Sequence, residues 1–174
     1  MTKAFVKETD EAEADQLPCK QPSEYPNYVT PVGLRQLRVR VAALREEHQQ
    51  LAASDASVVK VRLRQVAGDL RYSLARLESA IPIDLREQPR DVVHFGAVVS
   101  TVDEDGVHRD FAIVGEDEAA PRDGKLSWLS PLARELTGCR ISDSISWRRL
   151  NREVELTVVG IVYPVGPIGG ASHE

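Results

Sequence analysis

The side chains that could do chemistry in this 174-residue chain are few and far apart. The two cysteines, Cys19 and Cys139, form no C-x-x-C pair, and the four histidines are scattered without metal-ligand spacing. The sequence also has no Gly-rich phosphate loop with its lysine. These patterns predict reduced structural thiols, no intrinsic metal site and no nucleotide site.

One carboxylate, Asp55, lies in the polar stretch of residues 52–57. Carboxylate oxygens are the ligands that Mg²⁺ prefers, and a metal-bound water can act as a nucleophile. Aspartate and serine are also the preferred caps where a helix begins. Asp55 is therefore a candidate metal ligand, with a helix cap as the alternative.

Two helical patterns flank this stretch. Apolar residues recur at alternating steps of three and four from Leu34 to Leu51 and again from Val59 to Leu77. Thr30 is a residue type that caps helices, and proline is favoured at the first helical position that follows. Residues 28–80 are therefore predicted to form an antiparallel coiled-coil hairpin, with a first helix of about 33 Å.

The hairpin is the basic part of a chain with a net charge of −5. Residues 28–79 carry nine Lys and Arg against five Asp and Glu, whereas residues 91–163 carry eight against thirteen. A basic segment favours binding to a polyanion or entry into an acidic channel, although exposed charged side chains are more often simply solvated. The basic candidates are Arg35, Arg38, Arg45, Lys60, Arg62 and Arg64.

The rest of the chain alternates in the manner of strands, after a proline-containing linker at residues 81–90. Residues 92–102 are predicted to form one strand, which an Asp-Gly turn joins to a second strand at residues 108–114. Later strands are expected at 143–147 and 153–163, and Ser130 and Pro131 predict the start of a short helix. The predicted fold class is α+β, with a helical hairpin followed by an antiparallel β domain at residues 91–163.

The composition also predicts where the chain is ordered. Residues 1–27 are acidic and poor in apolar groups, and residues 164–174 are rich in glycine, so both are expected to be flexible tails. No apolar run approaches the roughly 20 residues of a membrane span, and the N-terminus lacks the apolar segment of a secretory signal. A cytoplasmic protein without membrane contact is expected.

Residues 124–138 form an apolar, strand-like run without catalytic groups, which predicts a docking surface. This run, the preceding Ile113-Val114-Gly115-Glu116-Asp117-Glu118 and the motif Ser127-x-x-Ser130-Pro131-Leu132-Ala133 resemble the GreA/GreB transcription elongation factor superfamily. The resemblance also covers Phe95–Val99, the Asp105-Gly106 turn and residues 155–163. It implies an FKBP-like second domain.

The resemblance further implies a partner, the core of bacterial RNA polymerase. The C-terminal domain would bind the rim of the secondary channel through Leu129, Ser130 and Pro131, and the hairpin would pass inward, where its basic residues contact the channel or nascent RNA. A monomer is expected.

Family members that stimulate transcript cleavage carry several acidic residues at the hairpin tip, where they help to hold a second Mg²⁺. Here the tip has one carboxylate, and the hairpin is shorter by about two heptads. The chain thus resembles the Rnk branch, which implies an accessory regulator that is not an enzyme, has no intrinsic cofactor and meets only polymerase-bound Mg²⁺. The alternatives are a GreB-like cleavage factor using Asp55, and an FKBP-like prolyl isomerase.

A prolyl isomerase pocket would need a cluster of aromatic side chains. The domain offers five, and packing in the core is the simpler role for each of them: Phe95, Phe111, Trp128, Trp147 and Tyr163.

Overall fold

The computed structural model describes residues 23–53, 59–149 and 152–164 as an α+β protein of helices and a curled β-sheet. The α+β class predicted from the sequence is confirmed at this level. The coiled-coil geometry of the hairpin and the FKBP likeness of the β domain stay predictions. Asp55, Cys19 and most of both predicted tails lie outside the described residues.

The elements are, in chain order, β1 (Tyr28–Val29), α1 (Pro31–Ala52), α2 (Val59–Glu78), β2 (Ile81–Pro82), β3 (Val98–Asp103), β4 (His108–Val114), β5 (Lys125–Ser127), α3 (Pro131–Leu136), β6 (Ser144–Arg149) and β7 (Arg152–Val162). Contacts divide the chain into two compact units. The first contains Arg38–Glu78, and the second contains Tyr25–Leu37 with the chain from Ser79 onward.

The first unit consists of the paired parts of α1 and α2. Val41 and Val66 are buried, with 3% and 0% of their surface exposed, and both belong to the apolar seams predicted from the sequence. The carboxylate of Glu47, near the end of α1, lies 2.6 Å from the Arg62 guanidinium, near the start of α2. Since the end of one helix meets the start of the next, the two helices are antiparallel.

The second unit is built on a five-stranded sheet with the order β5-β4-β3-β7-β6. All neighbouring strands are antiparallel except β4 and β5, which are parallel. Helix α3 contributes Leu132, Ala133 and Leu136 to the core against this sheet. The other buried core residues are Leu85, Val93, Ala97, Val99, Phe111, Ile113, Leu126, Leu156, Val158 and Tyr163.

The predicted strand at residues 92–102 is wrong in its first half, because β3 begins only at Val98. Gly96 has a φ of +86°, a backbone conformation that turns the chain and that glycine adopts without strain. Its N–H donates to the Ile113 carbonyl at 2.8 Å. A side chain on Gly96 would also meet Leu85, whose Cδ2 lies 2.1 Å from the Cβ position. The apolar pattern continues through this turn and therefore predicts a strand where the backbone turns.

The strand-like interpretation of residues 124–138 is also wrong for most of its length. Only Lys125–Ser127 form a strand, and α3 begins four residues later. The Ser130 hydroxyl accepts a hydrogen bond from the Ala133 N–H at 3.4 Å, and Pro131 is the first helical residue. The local capping signal at Ser130 and Pro131 therefore predicted this region better than its overall apolar character did.

Asp103 organises the turn between β3 and β4, and only 9% of its surface is exposed. One carboxylate oxygen, Oδ1, accepts from the Val107 N–H at 2.8 Å and from the Asp105 N–H at 3.1 Å. The other, Oδ2, lies 2.6 Å from Nη1 of Arg109. The Asp-Gly hairpin predicted from the sequence is confirmed, with Gly106 at a φ of +76°.

Because the Asp103 carboxylate is hydrogen-bonded and ion-paired in the folded protein, we expect the free energy of unfolding to depend on pH. Arg109 first, and then the Val107 and Asp105 amides, hold the pKa of Asp103 below its ordinary value of 3.8. The folded protein therefore binds this proton more weakly than the unfolded chain does. The contribution of Asp103 to stability is fully present when the pH is above the pKa of Asp103 in the unfolded chain. It is lost as the pH falls through the lower pKa of Asp103 in the folded protein.

We expect Asp103→Asn to lower the free energy of unfolding near neutral pH, with a deficit that shrinks as the pH falls below the pKa of 3.8 of an unperturbed Asp. Denaturant unfolding of both proteins at a series of pH values measures this difference. Asp123→Asn, at an exposed position outside this turn, is the control. A deficit that stays constant with pH would show that ionisation of Asp103 does not contribute.

Candidate functional site

The predicted docking residues lie in the loop between β5 and α3, whose backbone is held at several points. The Trp128 N–H donates to the Val114 carbonyl, and the Ser130 N–H donates to the Ser127 carbonyl, both at 2.9 Å. Leu129 and Ser130 are half-buried and Pro131 is exposed. The structure thus brings Leu129, Ser130 and Pro131 together on one short loop, in which the Ser130 hydroxyl already caps α3.

An aromatic cluster adjoins this loop. The ring of Tyr28 lies 5.0 Å from that of Trp128 and 5.9 Å from that of Phe95, measured between centroids. Tyr25 makes a T-shaped contact with Trp128 at 6.5 Å. Trp128, which directly precedes Leu129, is therefore in contact with aromatic rings from a distant part of the sequence.

Most of the five aromatic residues considered for an isomerase pocket pack in or against the hydrophobic core. Phe111 and Tyr163 belong to the buried core, and Trp128 and Trp147 pack against it. Phe95 is half-buried. Core packing is therefore confirmed for four of the five side chains, whereas Phe95 contacts the ring of Tyr28.

A second cluster fixes the start of α1, and the sequence analysis did not identify it. The Glu118 carboxylate accepts from the Thr30 N–H at 2.9 Å, from the Thr30 hydroxyl and from the Gly115 N–H at 3.3 Å. The Thr30 hydroxyl in turn accepts from the Gly33 N–H at 3.0 Å, which confirms the predicted cap. A Cβ at Gly33 would lie 2.0 Å from Glu118 Cδ, so a larger residue at this position would have to displace the Glu118 carboxylate.

The basic candidates are all exposed, but they do not form one group. Arg35 belongs to the second unit, whereas the other five lie on the hairpin. Arg62 pairs with Glu47 and also donates to Gln65. The spacing of Arg38 and Arg45, and that of Lys60 and Arg64, places each pair on one face of its helix. Their roles toward a channel or RNA stay predictions.

The described residues offer no metal site. No group of three or more His, Cys, Asp or Glu side chains within them is arranged to hold a metal ion. Of the two acidic residues near the end of α1, Glu47 pairs with Arg62, and Glu46 accepts from the Gln50 amide at 3.2 Å. Asp55 lies outside the described residues, so its candidate role stays a prediction.

Cys139, the cysteine in the described part of the chain, is a free thiol. Its Sγ donates to the Glu135 carbonyl at 3.3 Å. Burial, followed by the nearby charges of Asp143 and Glu135, raises the pKa of the thiol above its usual value of 9.0. A protonated thiol is a poor nucleophile, which agrees with the structural role predicted for it.

The chain is similar in sequence to known transcription elongation factors. Residues 88–163 match the family model described as "Transcription elongation factor, GreA/GreB, C-term". Transcription elongation factor GreB of Neisseria meningitidis serogroup B is 32% identical over 158 residues, which cover 81% of this chain and 96% of that protein. Transcription elongation factor GreB of Pseudomonas aeruginosa is 32% identical over 154 residues, covering 80% and 92% of the two chains.

Solved structures were also matched. The GreA factor homolog 1 (Gfh1) of Thermus thermophilus is 22% identical, with a TM-score of 0.39 and coverage of 79% of this chain and 99% of that one. A transcription elongation factor GreA/GreB from Nitrosomonas europaea is 19% identical, with a TM-score of 0.41 and coverage of 80% and 100%.

Among the described residues, no helix has the length and apolar character needed to cross a bilayer.

The match of residues 88–163 to the family model and the 32% identity along nearly the full length of the GreB relatives both indicate the same family. This chain belongs to the GreA/GreB family of transcription elongation factors.

Proposed function

We propose that this protein binds bacterial RNA polymerase at the secondary channel and regulates elongation there, without cleaving the transcript efficiently. The family membership supports a role as an accessory factor of transcription. The observation that carries the proposal is the Leu129–Pro131 loop, a rigid and partly exposed apolar surface in the domain that matches the family.

The loop suits a docking role for physical reasons. Leu129 and Pro131 offer apolar surface beside polar backbone groups, a combination that is usual at protein interfaces. The loop is held by the hydrogen bond from Ser130 to Ser127 and by the cap on α3, so little conformational entropy is lost on binding. The hairpin would then place Arg38, Arg45, Lys60 and Arg64 in an acidic channel or near nascent RNA.

Two observations support the absence of efficient cleavage. The link between α1 and α2 has one carboxylate, Asp55, whereas two-metal hydrolysis needs several oxygen ligands. The alignment with the Neisseria GreB spans 158 positions, but 81% of this chain is only about 141 residues, so this chain lacks about 17 residues there. A hairpin shorter by about seven residues in each arm, as predicted from the sequence, would account for most of that difference and would lose about 10 Å of reach.

We expect the protein to bind core RNA polymerase directly and to inhibit transcript cleavage by an added GreB factor. The double variant Leu129→Ala/Pro131→Ala should weaken binding about ten-fold or more, because truncating central interface residues has effects of this size. A titration against labelled core polymerase measures the affinity, and backtracked elongation complexes report cleavage.

Val107→Ala/Ile141→Ala is a matched control, since it truncates two exposed apolar residues outside the loop and should bind like the wild type. Failure of the wild-type protein to bind polymerase would reject the proposal. Transcript shortening by this protein alone would instead favour the cleavage-factor alternative. Asp55→Ala would then test whether Asp55 is the metal ligand.

A further inference from the structure

Both ends of the helical hairpin attach to one short segment, residues 27–30, which is called the base segment here. Its chain leads directly into α1. The Asn27 carbonyl accepts from the Ile81 N–H at 2.8 Å, and the Val29 carbonyl accepts from the Ile83 N–H at 3.1 Å, so the chain that leaves α2 pairs with the same segment. The chain therefore enters and leaves the hairpin through the base segment and its partner strand.

The Glu118 carboxylate holds the base segment on the β domain. Thr30, the last residue of the segment, is buried and donates to Glu118 through its N–H, at 2.9 Å, and through its hydroxyl. The same carboxylate accepts from the N–H of Gly115, the residue after β4, at 3.3 Å. Strand β4 is an interior strand of the five-stranded sheet. One side chain therefore joins the residue before α1 to the sheet.

Tyr28 connects the base segment with the docking loop. Its ring lies 5.0 Å from that of Trp128, which directly precedes Leu129. A Cβ on Gly115 would lie 2.5 Å from the Tyr28 carbonyl oxygen, so the backbone of the segment also approaches the domain closely. The base segment therefore contacts the domain twice, next to the docking loop and at Glu118.

The direction of α1 is sensitive to how its first residues are held. The helix has 22 residues, which corresponds to a length of about 33 Å. A tilt of about 10° at its start would move its far end by about 6 Å. Because functional groups must be held within about 0.5 Å of their productive geometry, a loosely held start would leave the far end poorly placed.

We propose that Glu118 is a positioning residue. Its carboxylate fixes the base segment on the domain that carries the docking loop, so that docking of the Leu129–Pro131 loop also places the hairpin on the polymerase. This inference rests on the proposed function, because the loop is the docking site in both. The fixation itself is a property of the free protein and can be measured there.

Distance measurements in the free protein test this fixation. Spin labels are attached to Ala52→Cys, at the end of α1, and to Val107→Cys, in the β3–β4 turn, in a chain whose two native cysteines are replaced by serine. Both positions are exposed. Pulsed electron–electron double resonance then gives the distribution of distances between the labels. Glu118→Ala and Gly33→Ala should each widen this distribution by about 5 Å, because the first removes the carboxylate and the second displaces it.

Asp123→Ala is the matched control, because it removes an exposed carboxylate of the same domain and should leave the distribution unchanged. Glu118→Gln keeps one acceptor oxygen, so it should widen the distribution less than Glu118→Ala, and it covers the case in which the alanine variant does not fold. Thermal unfolding checks that each variant is folded. A distribution as narrow in Gly33→Ala and Glu118→Gln as in the wild type would overturn the inference.

Binding to core RNA polymerase separates positioning from docking. The Leu129–Pro131 loop is intact in Glu118→Gln, so its affinity should stay within about three-fold of the wild type, whereas Leu129→Ala/Pro131→Ala should lose about ten-fold. A photo-crosslinker at position 52 should nevertheless react with saturating polymerase in about five-fold lower yield in Glu118→Gln, because the far end of α1 is no longer held in one place.

The outcomes separate this inference from the proposed function. An affinity loss in Glu118→Gln as large as that of the loop variant would show that Glu118 supports the loop itself. An unchanged crosslinking yield would show that Glu118 does not place the hairpin. Either result overturns the inference while the proposed function stands. If the wild-type protein does not bind polymerase, the proposed function is wrong, and the distance distributions still decide whether Glu118 fixes the base segment.

Discussion

Glu118→Ala should lower the free energy of unfolding by about 3 kcal/mol, because it leaves buried backbone donors without their charged acceptor. Thr30, which is 1% exposed, would lose the acceptors of both its N–H and its hydroxyl. The Gly115 N–H would lose its acceptor as well. Chemical denaturation measures the loss, and Glu118→Gln, which keeps one acceptor oxygen, should lose less.

Gly33 provides a double-mutant test of the same contact. Alanine normally stabilises a helix interior relative to glycine, by about 1 kcal/mol. Here Gly33→Ala should destabilise the protein, because the new Cβ would displace the Glu118 carboxylate from Thr30. In the Glu118→Ala background the obstacle is gone, and Gly33→Ala should become neutral or stabilising. An unchanged effect of Gly33→Ala in the two backgrounds would contradict the close contact.

Leu136→Ala should lower the free energy of unfolding by about 2–5 kcal/mol, the range found for truncating a fully buried leucine. Leu136 is 0% exposed and is the last residue of α3, the helix that begins at the docking loop. The cavity would loosen the contact of α3 with the sheet. We therefore also expect weaker binding to core RNA polymerase at temperatures where the variant is still folded.

Glu135→Ala is the control for this change, because it alters the neighbouring exposed side chain of the same helix. It should change stability by no more than about 0.5 kcal/mol. Thermal and denaturant unfolding compare the two variants, and the polymerase titration compares their binding. Equal stabilities would show that Leu136 does not anchor α3 in the core.

These two regions, the Glu118 cluster and α3, serve different parts of the proposed function. Glu118 fixes the residues from which α1 begins, and α3 supports the loop that offers Leu129 and Pro131. A loss of binding in Leu136→Ala with intact secondary structure would therefore indicate that the loop needs its supporting helix. A loss in Glu118→Ala would indicate that the start of α1 also matters.

The sequence determined the features that depend on neighbouring residues. The caps at Thr30 and Ser130, each followed by a proline, located the starts of α1 and α3. Apolar spacing identified the two long helices, and the Asp-Gly pair located the β3–β4 turn. These signals are local, because they reflect backbone preferences and the periodicity of a single element. The apolar run of residues 124–138 predicted a docking surface, and the family resemblance assigned it to Leu129, Ser130 and Pro131.

Only the tertiary structure decided which distant residues meet. Glu118 contacts Thr30 across 88 positions of sequence, and Tyr25 and Trp128 are brought together although they lie far apart in the chain. No spacing rule predicts such pairs, because they depend on how strands and helices pack. The turn at Gly96 was missed for a related reason: apolar residues alternate there as in a strand, while a positive φ and the contact with Leu85 direct the backbone elsewhere.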